Sequence, residues 1–85
     1  MAYKLILRAK AEKELDKIPA VHREKVTKML RSLADDPFQG KKLEGELKGK
    51  YSVRAWPYRI IYEIRRHELY VIVVHIGHRK DVYLK

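Results

Sequence analysis

The sequence predicts an α+β fold in which a helical hairpin packs on one face of a largely antiparallel, four-stranded sheet. Two segments in the first half carry apolar residues at the helical period, whereas segments in the second half alternate or are rich in β-branched residues. A short alternating segment also precedes the helices, which gives the order β-α-α-β-β-β. The 85 residues are fewer than the roughly 150 of a typical domain, so residues 1–85 are predicted to form one domain.

The first strand and the first helix are predicted from a change of apolar period. Residues 3–8 alternate weakly between apolar and polar side chains, as a short strand does. Beyond them, Ala11, Leu15 and Ile18 follow the spacing i, i+4 and i+7, which places them on one helical face. We therefore expect a helix over residues 9–18.

Pro19 separates this helix from a second one. Proline cannot extend a helix, but it suits the first turn of the next. Residues 20–34 resume the helical period at Val26, Met29, Leu30 and Leu33. Pro37 marks the end, because the residue before a proline avoids the helical region. The two helices are predicted to form a hairpin with a tight turn.

The second half of the chain is predicted to contain a loop and then three strands. The loop after Pro37 holds three of the four glycines, Gly40, Gly45 and Gly49. Strands are expected over residues 51–55, 58–64 and 69–76, with a turn at Pro57. The last segment is apolar on both faces, which is typical of a central strand.

The helices are expected to cover one sheet face and to leave two arginines on the other. Arg59 alternates with residues that we expect to lie under the helices, Tyr58, Ile60, Tyr62 and Ile64. Arg54 alternates in the same way with Tyr51, Val53 and Ala55. Two arginines on neighbouring strands of one exposed surface can form a phosphate site, because guanidinium donors match phosphate oxygens.

The charge of the chain favours a polyanionic partner. Twenty lysines and arginines stand against 11 acidic residues, a formal net charge of +9, and residues 41–85 carry +6 of it. An apolar fraction of 46% excludes wholesale disorder. The chain contains no cysteine, which excludes disulfides, thiolate nucleophiles and cysteine metal sites.

The sequence predicts a cytoplasmic protein with no membrane association. The N-terminal apolar stretch is too short for a signal peptide. The longest apolar run, residues 69–76, is far below the roughly 18 residues that a membrane-spanning helix needs. We also predict no metal and no cofactor, because the four histidines lack the spacing of a metal motif.

Three motifs carry a resemblance to a known family. They are Leu-x-Gly-x-Leu-x-Gly-x-Tyr over residues 43–51, Tyr-Arg-x-x-Tyr over residues 58–62 and Gly-His-Arg-x-x-x-Tyr over residues 77–83. Together with the element order and the length, they resemble the RelE/ParE superfamily of bacterial and archaeal toxins. The last motif is similar to that of the RelE branch, whose members cleave mRNA in the ribosomal A site.

The resemblance implies which residues surround the scissile phosphate. The matching positions are Arg54, Arg59, Arg79 and Tyr83. Well-studied members of the branch also carry a lysine two residues before the position of Arg54, where this chain has Ser52. His78 is a further candidate for catalysis, because an imidazole titrates near neutral pH, and it is expected on the same sheet face as the arginines.

Other polar residues have a functional and a structural interpretation. Four lysines of the glycine-containing loop either contact RNA and the ribosome or only aid solubility: Lys41, Lys42, Lys48 and Lys50. Glu63 is either a base or, more simply, a salt-bridge partner for a nearby arginine. His75 lies within the last predicted strand and is interpreted as a hydrogen-bonded structural residue.

The sequence therefore predicts the toxin of a type II toxin–antitoxin system. Its expected activity is ribosome-dependent, metal-independent cleavage of translated mRNA by attack of the 2′-hydroxyl, which inhibits translation. The expected partners are the ribosomal RNA, mRNA and a cognate RelB-like antitoxin, with which it forms a hetero-oligomer. Two alternatives remain open: a ParE-like toxin that binds DNA gyrase, and an inactive member that only binds RNA or its antitoxin.

Overall fold

Each predicted helix and strand is present within two residues of its expected bounds. The computed structural model describes residues 2–78. Its elements are β1 (Lys4–Leu7), α1 (Ala9–Lys17), α2 (Ala20–Asp35), β2 (Lys41–Lys42), β3 (Tyr51–Ala55), β4 (Tyr58–Arg65) and β5 (Tyr70–His78). Short 3₁₀ turns cover Pro37–Gln39 and Gly45–Leu47. The α+β class is thus confirmed.

The described sheet has five strands in the order β1-β5-β4-β3-β2. Strand β1 runs parallel to β5, and the other neighbours are antiparallel. The predicted number of four strands was wrong because β2 was assigned to the loop. This strand consists of only two lysines, so it has neither the length nor the apolar alternation that predicts a strand.

The helical hairpin turns at Ile18 and Pro19, and an arginine closes its first helix. The Arg23 guanidinium donates hydrogen bonds to the carbonyl oxygens of Ile18 at 2.8 Å and Asp16 at 3.3 Å. These carbonyls would otherwise lack partners at the end of α1. The long second helix is thereby joined to the first. Neither helix within residues 2–78 is long and apolar enough to cross a membrane.

The core lies between the helical hairpin and one face of the sheet. Its fully buried members come from both layers and include Ala11, Val26, Leu33, Ile60, Tyr62, Val71 and Val73. Tyr51, Val53, Tyr58 and Ile64 pack against them, as the alternation predicts. The opposite face, which carries Arg54 and Arg59, is called the open face below.

Tyr62 ties the loop before β2 to the core. Its side chain is fully buried, it stacks on Tyr51 with ring centroids 5.6 Å apart, and its hydroxyl donates a hydrogen bond of 2.7 Å to the Pro37 carbonyl oxygen. Burial raises the pKa of this phenol to about 12. At Gly40 a Cβ atom would overlap the Tyr62 hydroxyl and lie 2.9 Å from the Ser52 carbonyl oxygen. Only glycine therefore allows the chain to enter β2 this close to β3.

Candidate active site

Two arginines are directly opposed on the open face. Arg54 of β3 is the cross-strand partner of Arg59 of β4. Their neighbours on each strand, Ala55 and Ile60 among them, point into the core, so both guanidinium groups leave the sheet on the other side. Opposed side chains start about 4.5–5.5 Å apart at Cβ, which lets two long side chains contact one ligand.

The two arginines line a pocket of about 480 Å³. The other lining residues come from the segment around β2 and from β3: Gln39, Gly40, Lys41, Leu43, Ser52 and Val53. Of the eight lining residues between positions 2 and 78, three are cationic and none is acidic. A cavity of this charge, with planar guanidinium donors on its wall, is suited to a phosphate group.

Lys41 enters the same pocket from β2. It is the cross-strand partner of Ser52, so the two side chains lie on the same face of the sheet. Ser52 is 5% exposed, whereas the lysine is exposed. Sequence reasoning gave Lys41 a role in RNA contact but did not place it beside the arginines, because β2 has no detectable strand pattern.

The four lysines predicted as one RNA-contact set are divided by the sheet. Lys42 pairs with Tyr51, whose ring packs on the core side, so it lies on the face opposite to Lys41. Together with Lys48 and Lys50 it lines a second pocket of about 350 Å³. Only one of the four lysines therefore lines the pocket that holds both arginines.

Glu63 has the structural role that the sequence favoured. Its carboxylate accepts a hydrogen bond from Arg65 at 3.2 Å and lies 3.4 Å from Lys50 Nζ. Partial burial opposes ionisation, but the hydrogen bonds from Arg65 and Lys50 outweigh it and hold the pKa of Glu63 below its ordinary value. The ionised carboxylate thus restrains Lys50.

His78 does not lie on the open face. It is the cross-strand partner of Tyr58, and the two rings meet edge to face with centroids 5.9 Å apart. Gly77, one residue earlier, occupies the position opposite Arg59. The prediction that His78 joins the arginines was therefore wrong in its placement.

A β-bulge is the physical reason for this placement. Along β4, Ile61 pairs with His75 and Tyr62 pairs with Val73, so Val74 has no partner in the register. The extra residue reverses the alternation in the rest of β5. Ile76 consequently joins the core together with Val73. Without the bulge His78 would have faced the same side as Arg59.

Glu14 of helix α1 contacts the outer edge of β5 beyond the last residue that pairs with β1. The Glu14 carboxylate accepts a hydrogen bond of 2.7 Å from the backbone N–H of Ile76. Its second oxygen lies 2.7 Å from His75 Nδ1. That nitrogen is buried and makes no well-aligned hydrogen bond within residues 2–78, so the hydrogen bond that the sequence suggested for His75 is not formed there. His75 instead lies against a carboxylate of α1.

Arg79 and Tyr83, the other predicted site residues, are outside the described residues.

Gln39 and Leu43 line the pocket although the sequence gave no signal for them. Within residues 2–78, no three histidine or carboxylate side chains are grouped to hold a metal ion. The geometry thus offers a cationic pocket for an anion, formed by two opposed arginines and one lysine.

Comparisons with known proteins agree with this architecture. Residues 5–83 match the family model described as the ParE toxin of the type II toxin–antitoxin system parDE. Toxin RelG of Mycobacterium tuberculosis is 31% identical over 85 residues, which covers 98% of either chain.

Solved structures extend the agreement to three dimensions. A chain of the RelBE2 toxin–antitoxin complex of Mycobacterium tuberculosis superposes with a TM-score of 0.86 at 28% identity, covering 93% of this chain and 100% of the other. A chain of the intact E. coli RelBE complex gives 0.77 at 29% identity, covering 91% and 96%. The resemblance to the RelE/ParE superfamily is confirmed, and the chain belongs to the ParE toxin family of type II toxin–antitoxin systems.

Proposed function

We propose that this toxin is an endoribonuclease that cleaves translated mRNA in the ribosomal A site and thereby inhibits translation. The observation that carries the proposal is the direct opposition of Arg54 and Arg59 in a pocket that no acidic residue of the described chain lines. Such a pocket binds the phosphate of the scissile bond and stabilises the charge that develops on it.

The proposed reaction uses the 2′-hydroxyl of the RNA as its nucleophile. The O2′–P bond forms and the P–O5′ bond breaks, while the 2′-hydroxyl loses a proton and the leaving 5′-oxygen gains one. The products are a 2′,3′-cyclic phosphate and a 5′-hydroxyl. The two guanidinium groups bind the non-bridging oxygens, on which negative charge increases in the phosphorane.

Arg79 and Tyr83 complete the proposed active site through the family resemblance. Arg79 adds a third guanidinium to the phosphate. Tyr83 stacks on a base or takes part in proton transfer, both of which suit a phenol next to RNA. We leave His78 out of this set, because it contacts Tyr58 on the core side of the sheet.

We further propose that the basic surface binds ribosomal RNA. Lys42 lies on the sheet face opposite to the arginines, and Lys48 lines the same second pocket. Their charges would contact rRNA phosphates rather than the scissile bond. Binding of this kind releases counterions, so the affinity for the ribosome should fall as the salt concentration rises.

The proposed regulator is a RelB-like antitoxin in the cytoplasm. Structural relatives from Mycobacterium tuberculosis and E. coli are toxin–antitoxin complexes. An antitoxin for this chain would offer acidic residues to a protein of net charge +9 and would form a hetero-oligomer with it. Its binding would block access of RNA to the pocket.

A ParE-like activity is the second candidate, since the matching family model is that of ParE toxins. Such a protein would inhibit DNA gyrase by protein binding, without nuclease chemistry. In that case the opposed arginines would contact protein carboxylates. An inactive member that only binds RNA or its antitoxin is the third reading, prompted by Ser52 in place of the lysine found in well-studied relatives.

The deciding experiment adds the purified toxin to programmed 70S ribosomes and maps mRNA ends by primer extension. We expect cuts at the A-site codon, lost in the double variant Arg54→Ala/Arg59→Ala and retained in Arg31→Ala, a control on the exposed side of α2. Gyrase-dependent DNA breaks without RNA cleavage would favour the second candidate. RNA binding without cleavage or breaks would favour the third.

A further inference from the structure

The strand β2 brings a lysine to the buried serine of β3. Lys41 is directly opposite Ser52 in the sheet, and both line the pocket of the two arginines. Arg54 lies two residues beyond Ser52 on the same face. Diagonal neighbours of this kind are about 7–8 Å apart, which lysine and arginine side chains easily bridge around one phosphate.

The other lysines of this segment are placed where they cannot serve the pocket. Lys42 is on the opposite face of the sheet. Lys48 lines the second pocket, and Lys50 is held by Glu63 at 3.4 Å. Lys41 is therefore the lysine that the described structure places beside the arginines.

The backbone that carries Lys41 is fixed by close packing. The preceding Gly40 lies so near Tyr62 and the Ser52 carbonyl that no Cβ fits. The Tyr62 hydroxyl also binds the Pro37 carbonyl at the start of this segment. A lysine that extends from a fixed backbone loses less freedom when its ammonium binds an anion.

We propose that Lys41 is a catalytic residue whose ammonium contacts a non-bridging oxygen of the scissile phosphate. Ser52, the cross-strand partner of Lys41 on β3, carries no charge. Lys41 therefore supplies the positive charge at this position from β2. Its role is electrostatic: it stabilises the phosphorane together with Arg54 and Arg59, and it exchanges no atoms with the RNA. The inference rests on the proposed nuclease function and assigns it one more group.

The test compares Lys41→Ala with Arg31→Ala, on the exposed side of α2, in single-turnover cleavage on programmed ribosomes. Both variants lose one positive charge, but only the first loses it from the pocket. We expect Lys41→Ala to lower the cleavage rate by about 10²-fold, as the loss of one transition-state donor does. Arg31→Ala should change it less than about threefold, because Arg31 does not line the pocket and its loss alters only the general charge of the protein.

Two further variants test the position of the charge. Lys41→Arg keeps a cation in the pocket and should retain more activity than Lys41→Ala. The double variant Lys41→Ala/Ser52→Lys moves the ammonium to the opposed position on β3. It should cleave mRNA at least tenfold faster than Lys41→Ala. Thermal unfolding checks that each variant is folded. If a lysine at the buried position 52 prevents folding, the cleavage rates of Lys41→Ala and Lys41→Arg still test the proposal.

The outcomes separate this inference from the function on which it rests. Equal cleavage by the wild type and Lys41→Ala would overturn the role of Lys41 while leaving the nuclease intact. Equal losses in Lys41→Ala and Arg31→Ala would also overturn it, because the loss would then come from the lower net charge of the protein and not from the pocket. A wild-type protein that cuts no mRNA would overturn the proposed function and this inference with it.

Discussion

Arg54 and Arg59 face each other across β3 and β4, and no carboxylate within residues 2–78 lines their pocket. Like charges in directly opposed positions of a sheet are destabilising, and an anion between them removes the repulsion. The open face therefore has a built-in preference for a bound anion. A phosphate bound to both guanidinium groups would therefore strengthen the sheet at this position.

Removing one of these charges should stabilise the protein at low salt. We expect Arg54→Ala to raise the free energy of unfolding by about 0.2–1 kcal/mol, the usual size of a cross-strand charge effect. The added stability provided by 50 mM sulfate should be smaller in the variant than in the wild type. Urea unfolding with and without sulfate measures both quantities. Equal sulfate effects in Arg54→Ala and the wild type would contradict the anion site.

The buried hydroxyl of Tyr62 should contribute measurably to stability. Tyr62→Phe leaves the Pro37 carbonyl without its partner, so we expect a loss of about 1–3 kcal/mol in urea unfolding. Tyr51→Phe is the matched control, because its half-buried ring stacks on Tyr62 and is kept in the variant. Similar losses in the two variants would show that the hydrogen bond to Pro37 is not the cause.

The raised pKa of Tyr62 predicts how the stability of the protein changes at alkaline pH. The pKa of Tyr62 is raised by burial from 10.0 to about 12, so the folded protein holds this proton more tightly than the unfolded chain. Its contribution is fully present below pH 10 and is lost as the pH rises towards 12. Unfolding of the wild type and Tyr62→Phe at pH 8, 10.5 and 11.5 isolates the effect, because other titrating groups are common to both. A constant difference across this range would contradict the raised pKa.

Gly40 and Tyr62 should behave as a coupled pair. Gly40→Ala forces a Cβ against the phenol oxygen and the Ser52 carbonyl, and overpacking of this kind typically costs about 1–3 kcal/mol. Tyr62→Phe removes one of the two obstacles. The double variant should therefore lose less stability than the two single variants combined. If the losses in unfolding free energy were additive, residues 40 and 62 would not be energetically coupled, which would contradict this prediction.

Glu14 should protect one amide of β5 from exchange. Its carboxylate is the hydrogen-bond partner of the Ile76 N–H, so Glu14→Ala leaves that donor unpaired and should cost about 1–3 kcal/mol. The control is Glu12→Ala, an exposed residue in the first turn of the same helix. Amide exchange followed by NMR should show faster exchange at Ile76 only in the first variant.

The sequence predicted the parts of the site that depend on regular alternation. Tyr51–Ala55 and β4 alternate without interruption, so the shared face of Arg54 and Arg59 followed from periodicity alone. The face of His78 did not, because one unpaired residue, Val74, reverses the alternation and leaves no mark in composition. The place of Lys41 was missed for another reason: a strand of two residues is defined by its partner, not by its own sequence.

The contact between Glu14 and β5 has a consequence for the protein in solution. Within residues 2–78, no strand pairs with the outer side of β5 beyond the end of β1 at Leu7. A row of unpaired amides at a sheet edge is a template for aggregation. The carboxylate occupies the position in which the carbonyl oxygen of another chain would bind the Ile76 amide. A single acidic side chain on a helix thus helps to keep molecules of this toxin from joining edge to edge.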